Sequence, residues 1–301
     1  MTPYQIGIDL GGTKTEAVLL DPSGGELFRK RQATPRQMSD PDIYAAIIET
    51  VSSLIEETAR EVPAGKPYTI GIGIPGILDA DTRRIQNANT TSLIGRPFKA
   101  ELEQRLGRSV AMENDANCFT LAECVKGAGR GRRMVVGVIM GTGCGGGICI
   151  DGRIHNGRHG IAGEWGHFSV DPEGAVCFCG NRGCVETLIS GTGVERRHKA
   201  RCGQDLSMKA ITQGYRNGEP ECVETFTRFL DDFGRCLGGV VSFLDPDAVV
   251  LGGGLSNIDE LYNLGRERMQ AYAFHPHATT PILKHQLGDS AGVYGAAWIG
   301  V

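Results

Sequence analysis

Apolar runs that end in glycine clusters are the clearest pattern along the chain. Three of them are "YQIGIDLGGTKTE" from Tyr4, "MVVGVIMGTGCGGG" from Met134 and "DAVVLGGGLSN" from Asp247. Each run predicts a buried strand that leads into a tight turn, where backbone amides can bind phosphate. The first two runs continue with β-forming residues after the turn, so each is predicted to be the first strand of a hairpin.

Helical periodicity follows the first hairpin. Apolar residues three and four positions apart predict one face of a helix, formed by Ile43, Ile47, Val51, Leu54 and Ile55. Further helices are predicted at residues 97–106, 116–126 and 221–244. The polar segment 201–220 is expected to be a peripheral excursion.

Two common phosphate-binding folds do not fit the glycine runs. Gly141, Gly143 and Gly146 match G-x-G-x-x-G, but β-forming residues follow where a dinucleotide fold requires a helix. The P-loop pattern G-x-x-x-x-G-K-[ST] does not occur in the sequence.

Two similar hairpins half a chain apart instead predict two similar α/β domains. The fold class is the actin-like, ribonuclease-H-like ATPase arrangement, with a substrate cleft between the domains. We expect a smaller N-terminal domain at residues 1–117, joined by a C-terminal helix at 289–301, and a larger domain at 118–288.

Composition narrows the possible functions. The chain has 301 residues, of which 41% are hydrophobic and 22% charged, enough for two separate cores. A net charge of −4, with no basic run longer than "RGRR", argues against nucleic-acid binding. The absence of a leader and of a membrane-length apolar segment predicts a cytoplasmic protein that does not bind membranes.

One histidine and three cysteines cluster in "GHFSVDPEGAVCFCGNRGCVE". Their spacing is H-x₉-C-x-C-x₄-C, which supplies a closed Cys₃His ligand set for zinc, formed by His167, Cys177, Cys179 and Cys184. A complete ligand set leaves no position for a reacting water, so the predicted Zn²⁺ is structural. The other seven of the ten cysteines lack such spacing and are interpreted as small core residues.

Several motifs together resemble the ROK group of bacterial sugar kinases over nearly the whole chain. They are "GIDLGGTKTE", "GIGIPG", "NDAN", "GTGCGGG", "GEWGH", "CFCGNRGCVE" and "VVLGGGLSN". The resemblance implies an ATP-dependent hexokinase that forms a sugar 6-phosphate. It also implies that Asp115 is the general base that accepts the hydroxyl proton, whereas the local sequence alone would favour a helix cap.

The same resemblance implies the residues that bind the sugar. They are Gly76, Asn87 or Asn89, Asn114, Asp115, Glu164, His167 and Glu186. Carboxylates suit a polyol, because a sugar offers many hydrogen-bond donors and no charge.

For the nucleotide, the resemblance implies contacts from three glycine turns. Asp9 would contact the Mg²⁺ of Mg-ATP, directly or through water, although backbone amides of its own turn could instead satisfy this carboxylate. The terminal phosphates would contact Gly11, Gly12, Thr13 and Lys14 on one side and Gly141, Thr142 and Gly143 on the other. The adenosine would lie beside Gly252, Gly253, Gly254 and Asn257.

The acceptor sugar is the most open part of this interpretation. The motifs favour fructose or mannose first, glucose second and N-acetylglucosamine third. A sugar-sensing transcriptional regulator is the alternative from another class, but the first strand begins by about Tyr4 and leaves no room for a helix-turn-helix domain. A filament or chaperone of the actin-like class would not explain the zinc cluster. A homodimer is also expected.

Overall fold

The computed structural model describes residues 2–36 and 39–300. Its contacts divide the chain into two compact units. Unit 1 contains residues 2–122, 156–162 and 287–300, and unit 2 contains residues 123–155 and 163–286. Among the described residues, no helix is both long and apolar enough to cross a bilayer.

Strands and helices are interspersed along the chain, with runs of consecutive strands and a run of four helices from residue 185 to residue 244. In chain order, the strands are β1 (Tyr4–Leu10), β2 (Lys14–Leu20), β3 (Glu26–Ala33), β4 (Tyr68–Ile74), β5 (Ile77–Leu78), β6 (Ile85–Gln86), β7 (Ala111–Asn114), β8 (Met134–Met140), β9 (Cys144–Ile150), β10 (Arg153–Ile154), β11 (Ala248–Gly252) and β12 (Ile282–Lys284). The α-helices are α1 (Asp40–Arg60), α2 (Phe98–Leu106), α3 (Asp115–Val125), α4 (Val185–Ile189), α5 (Gly191–Cys202), α6 (Met208–Arg216), α7 (Pro220–Leu244), α8 (Leu264–Tyr272) and α9 (Ala291–Ile299).

Unit 1 is built on a five-stranded sheet in the order β3-β2-β1-β4-β7. β1 and β2 are antiparallel, with Gln5 opposite Leu20, so the predicted first hairpin is confirmed. β4 runs parallel to β1, and β7 runs parallel to β4. The buried face of α1 is the one that the sequence predicts, and it packs on this sheet in the same apolar core.

Helix α9 packs unusually closely on the unit 1 sheet. A Cβ atom at Gly71 of β4 would lie 1.8 Å from the carbonyl oxygen of Ala296, and one at Gly7 of β1 would lie 2.2 Å from that of Val293. Both strands therefore need glycine where the helix backbone rests on them. Beside this contact, the four side chains of a small buried cluster join the helix to β2: Val18, Leu20, Val293 and Ala297.

Unit 2 repeats the arrangement with the sheet order β10-β9-β8-β11-β12. β8 and β9 are antiparallel, with Val136 opposite Ile148, so the second predicted hairpin is also confirmed. The glycine turn after β8 leads into strand β9 and not into a helix. This agrees with the expectation that the turn does not belong to a dinucleotide-binding fold. The long helix α7 supplies much of the core through Phe226, Phe229 and Phe233, which are fully buried.

The observed division differs in detail from the predicted boundaries at residues 117/118 and 288/289. It falls between Ala122 and Glu123 and between Gln286 and Leu287, because α3 begins in unit 1 and continues across the division. Residues 156–162 also belong to unit 1, which the sequence did not indicate.

The expectation for segment 201–220 was wrong. This segment contains α6, whose residues Met208 and Ile211 are buried in the core of unit 2. The buried positions Met208, Ile211 and Thr212 follow helical spacing, but the overall polarity of the segment outweighed this pattern in the sequence prediction.

Candidate active site

In unit 1, the end of β7 and the start of α3 place four predicted sugar-binding residues near one another. The side-chain amide of Asn114 donates to the carbonyl of Gly76 at 3.2 Å. The backbone N–H of Asn89 donates to the carbonyl of Pro75, the residue before Gly76, at 3.0 Å. Asp115 follows Asn114 as the first residue of α3.

The helix-cap role that local sequence favours for Asp115 is carried largely by Asn114. Its Oδ1 atom accepts from the backbone N–H of Ala116 at 2.9 Å and from that of Asn117 at 3.4 Å. Asp115 Oδ1 also lies 2.8 Å from the Ala116 nitrogen. The neighbouring asparagine therefore shares the capping work, which is compatible with a separate chemical role for the aspartate.

Sequence reasoning missed Glu113, the residue before this pair. Its Oε1 atom accepts from the backbone N–H of Asn114 at 2.8 Å and from the side-chain amide of Asn117 at 3.0 Å. These two bonds hold the β7–α3 junction in one conformation. A glutamate at the end of a short strand gave no signal of this role.

Asp9 lies near the end of β1, and its surroundings oppose its charge. Burial, together with the Asp115 carboxylate, raises the pKa of Asp9 from 3.8 to about 7. Glu16 raises this pKa further, whereas Lys14 and Arg31 lower it. Among the hydrogen bonds and ion pairs formed within residues 2–36 and 39–300, none involves the Asp9 carboxylate. A half-buried carboxylate without a protein donor fits a Mg²⁺ site, because this cation prefers oxygen ligands.

The two glycine turns predicted to bind phosphate are both present, one in each unit. In unit 1, the N–H of Gly11 donates to the carbonyl of Lys14 at 3.0 Å, and Gly12 and Thr13 are exposed between them. In unit 2, the turn of Gly141, Thr142 and Gly143 closes through the N–H of Gly141 and the carbonyl of Gly143 at 2.9 Å.

The amino end of α5 holds the unit 2 turn, a contact that the sequence did not indicate. The N–H of Gly191 donates to the carbonyl of Gly141 at 2.8 Å, and the Thr192 hydroxyl donates to that of Thr142 at 2.6 Å. Two of the three carbonyls of the turn, those of Gly141 and Thr142, are thereby fixed by the helix.

A cavity of about 690 Å³ in unit 2 is lined by two of the residues predicted to border the adenosine, Gly254 and Asn257. Gly252 is buried at the end of β11, and Gly253 turns the chain with a φ of 76°. The opposite wall of the cavity is α6, which the sequence did not associate with a site. Its lining residues include Met208, Lys209, Thr212, Gln213 and Arg216.

The predicted zinc ligands come together in unit 2. One ligand atom from each of His167, Cys177, Cys179 and Cys184 lies within 4.8 Å of every other. Cys177 Sγ lies 3.6 Å from His167 Nδ1, and Cys179 Sγ lies 3.6 Å from Cys184 Sγ. A tetrahedron with Zn–S bonds of about 2.3 Å has edges of about 3.8 Å, so the donor set and its spacing fit zinc.

Glu186 connects this cluster to the unit 2 turn. Its Oε2 atom accepts from the backbone N–H of Cys144 at 3.0 Å, and its Oε1 atom lies 4.0 Å from Cys177 Sγ. A Cβ at Gly143 would lie only 2.7 Å from Glu186 Oε2, so this glycine makes the contact possible.

Glu164 lies in the same region, just before the 3₁₀ turn Trp165–His167. Burial raises the pKa of Glu164, His167 lowers it and Glu186 raises it. The Trp165 indole N–H donates to the carbonyl of Gly145 at 3.1 Å, which attaches this turn to β9. Glu164, His167 and Glu186 therefore belong to one segment of unit 2, packed on the hairpin that carries its glycine turn.

Comparison with known proteins agrees with these features. The ROK family profile matches residues 5–300. The chain is 40% identical over 302 residues to N-acetyl-D-glucosamine kinase of Pectobacterium atrosepticum, with 97% of each chain covered. The ROK hexokinase of Thermus thermophilus shares 31% identity and a TM-score of 0.84, covering 99% of this chain and 97% of that one.

A second solved structure carries ligands. The ROK family glucokinase of Streptomyces griseus, in complex with glucose and AMPPNP, shares 31% identity and a TM-score of 0.78, covering 99% of each chain. These matches confirm the actin-like ATPase fold predicted from the two hairpins. The chain therefore belongs to the ROK family and is one of its sugar kinases.

Proposed function

We propose that this sugar kinase transfers the γ-phosphate of ATP to the 6-hydroxyl of N-acetylglucosamine. The observation that carries the choice of sugar is the 40% identity, over 97% of both chains, to a relative named N-acetyl-D-glucosamine kinase. Fructose and mannose, which the motifs favoured, are not the substrate named for this relative. Glucose is the second candidate, because the solved glucokinase relative binds it.

Asp115 would accept the proton of the sugar hydroxyl as the new bond to phosphorus forms. Its neighbour Asn114, held by Gly76 and Glu113, would orient that hydroxyl. The other hydroxyls would donate to Glu164 and Glu186 and contact His167, and Gly76 and Asn89 would border the sugar.

ATP supplies the phosphoryl group, and Mg²⁺ neutralises its charge when bound. The amides of Gly11, Gly12 and Thr13 would donate to phosphate oxygens, with Lys14 as a further contact. The turn of Gly141, Thr142 and Gly143 would do the same from unit 2. Asp9 would hold Mg²⁺ directly or through water. The base and ribose would enter the cavity between α6 and Gly254, with Gly252, Gly253 and Asn257 shaping its edge.

The cluster of His167, Cys177, Cys179 and Cys184 would bind one structural Zn²⁺. Because Nδ1 of His167 faces the thiols, its Nε2 remains to hydrogen-bond an outer partner, and a sugar hydroxyl could be that partner. The metal would then fix Glu164 and Glu186, which lie three residues before and two residues after zinc ligands, His167 and Cys184.

A coupled ADP-release assay over a panel of sugars tests the proposal. The panel contains N-acetylglucosamine, N-acetylgalactosamine, N-acetylmannosamine, glucose, mannose and fructose. We expect the highest kcat/KM for N-acetylglucosamine, by about tenfold or more over glucose, since a specific site must make favourable contacts with the acetamido group in the transition state. A higher kcat/KM for glucose, mannose or fructose would contradict the choice of sugar. The expected homodimer stays a prediction, which sedimentation equilibrium would test.

A further inference from the structure

The Asp9 carboxyl group stands against the first turn of α9. A Cβ atom built at Gly292, the second residue of that helix, would lie 3.0 Å from Asp9 Oδ2, 3.2 Å from Cγ and 3.5 Å from Oδ1. These are the three nearest heavy atoms, so the carboxyl group occupies the space that a side chain at position 292 would need.

Another glycine borders the same carboxyl group from the sheet. A Cβ at Gly73 of β4 would lie 3.7 Å from Asp9 Oδ1 and 3.3 Å from the Sγ atom of Cys118. The helix and the neighbouring strand thus both approach Asp9 through residues without side chains. Because Gly73 has no side chain, no atom of residue 73 fills this position, and a carboxyl group pushed from the helix side has room to move toward β4.

Ser290, the residue before α9, does not cap the end of the helix that Asp9 faces. The Ser290 hydroxyl lies 3.2 Å from a Glu16 carboxylate oxygen and accepts from the Arg29 guanidinium at 2.6 Å, and it makes no capping bond to the helix. The amino end of a helix favours a nearby anion, because its first N–H groups lack partners within the helix. The Asp9 carboxyl group supplies the heavy atoms nearest to a Cβ at Gly292 in this end of the helix, although burial and Asp115 still make its charge unfavourable overall.

We propose that Gly292 is a positioning residue for Asp9: the missing side chain at 292 determines where the carboxylate stands and hence where it can hold the metal of Mg-ATP. This inference rests on the role given to Asp9 in the proposed function. A methyl group at 292 would push the carboxylate by a few tenths of an ångström. Mg²⁺ requires nearly ideal octahedral geometry with short bonds, so a displacement of this size should weaken its binding.

The first test compares Gly292→Ala with Gly239→Ala. Gly239 lies in the interior of α7, where a Cβ would have no neighbour within 4 Å, so it controls for the substitution itself. We expect Gly292→Ala to raise the KM for Mg-ATP about tenfold, or about 1.4 kcal/mol, and to leave the sugar KM within about twofold. Wild-type kinetics for Gly292→Ala, or an equal rise in both KM values, would overturn the proposal.

Binding provides a measurement that does not depend on turnover. Calorimetry with AMPPNP should show an affinity loss of about tenfold for Gly292→Ala in the presence of Mg²⁺. In buffer without Mg²⁺ and without a chelator that would remove zinc, the variant and the wild type should bind the nucleotide equally. Equal losses with and without Mg²⁺ would mean that the substitution disturbs the nucleotide site generally, which would overturn the metal-positioning role.

A thermal double-mutant cycle tests the contact itself and also covers the case in which the single variant is unstable. Gly292→Ala should lower Tm when Asp9 is present. In an Asp9→Ala background it should leave Tm unchanged or raise it, because the clash is gone and alanine favours the helix over glycine. The same Tm shift in both backgrounds would overturn the proposal.

Asp9→Ala alone separates the two hypotheses. Near wild-type turnover of this variant would overturn both the metal role of Asp9 and its positioning by Gly292. An inactive Asp9→Ala protein combined with a fully active Gly292→Ala protein would overturn the positioning role alone.

Discussion

Replacing Asp9 with asparagine should change how stability depends on pH in the Mg²⁺-free protein. Burial and Asp115 raise the pKa of Asp9 from 3.8 to about 7 in the folded chain. A folded pKa above the unfolded value means that the folded protein binds this proton more tightly. The stabilisation is therefore complete below about pH 3.8 and is lost as pH rises through about 7.

The size of the effect follows from the shift. A shift of about 3 pKa units corresponds to about 4 kcal/mol of stability over the full titration, of which about 2.5 kcal/mol falls between pH 5 and pH 8. Asparagine has nearly the same shape as a protonated aspartate and does not titrate. The other charged groups that act on Asp9 are present in both proteins, so their contributions largely cancel in the comparison; these groups are Asp115, Glu16, Lys14 and Arg31.

Urea unfolding of both proteins in buffer without Mg²⁺ or chelator, at intervals from pH 5 to pH 8, measures the difference. Relative to Asp9→Asn, the wild type should lose about 2.5 kcal/mol of unfolding free energy across this range. Mg²⁺ with AMPPNP should restore part of the wild-type loss at pH 8, because a bound cation stabilises the ionised carboxylate. Parallel pH curves for the two Mg²⁺-free proteins would refute the argument that Asp9 is held in a place that opposes its charge.

Three further outcomes are expected. Asp115→Asn should lower kcat by at least about 100-fold while calorimetry shows nearly unchanged sugar affinity; near wild-type turnover would place the base elsewhere. Cys179→Ser should lose zinc, measured by mass spectrometry, and most of its sugar affinity. Because Glu186 also holds the N–H of Cys144, nucleotide affinity should fall by a smaller factor; undiminished sugar binding in zinc-free protein would contradict this. Gly143→Ala places a methyl group 2.7 Å from Glu186 Oε2 and should raise the KM of both substrates. An effect on one KM alone would argue against the idea that Glu186 links the sugar site to the phosphate-binding turn.

Much of the fold could be predicted because its signals are local. Alternating or continuous apolar runs that end in glycine gave both hairpins, and a 3.6-residue period gave α1. Helix α6 was missed although its buried residues Met208, Ile211 and Thr212 follow helical spacing, because the segment around them is polar overall. The assignment of residues 156–162 to unit 1 depends on contacts across the fold, which no local pattern records.

The candidate site also contains features that the sequence could predict and features that it could not. The spacing of the histidine and cysteines identified a ligand set because its members lie close together in the sequence. The contact between Gly292 and Asp9 could not be predicted, since the two residues lie at opposite ends of the chain and a glycine carries no chemical signal. Likewise, only the structure shows that Glu186 reaches the N–H of Cys144.

The close packing of α9 on the first sheet has a consequence for how the protein is made. Strands β1, β2 and β4 leave the ribosome early, but the helix that covers one of their faces is translated after every other helix and strand described. Until then, Val18 and Leu20 lack their partners Val293 and Ala297, and the glycines of β1 and β4 have no helix resting on them. A chain released before Ala291 would keep an apolar sheet face open to chaperones and proteases. Docking of α9 is therefore the step that closes this apolar face of the unit 1 sheet.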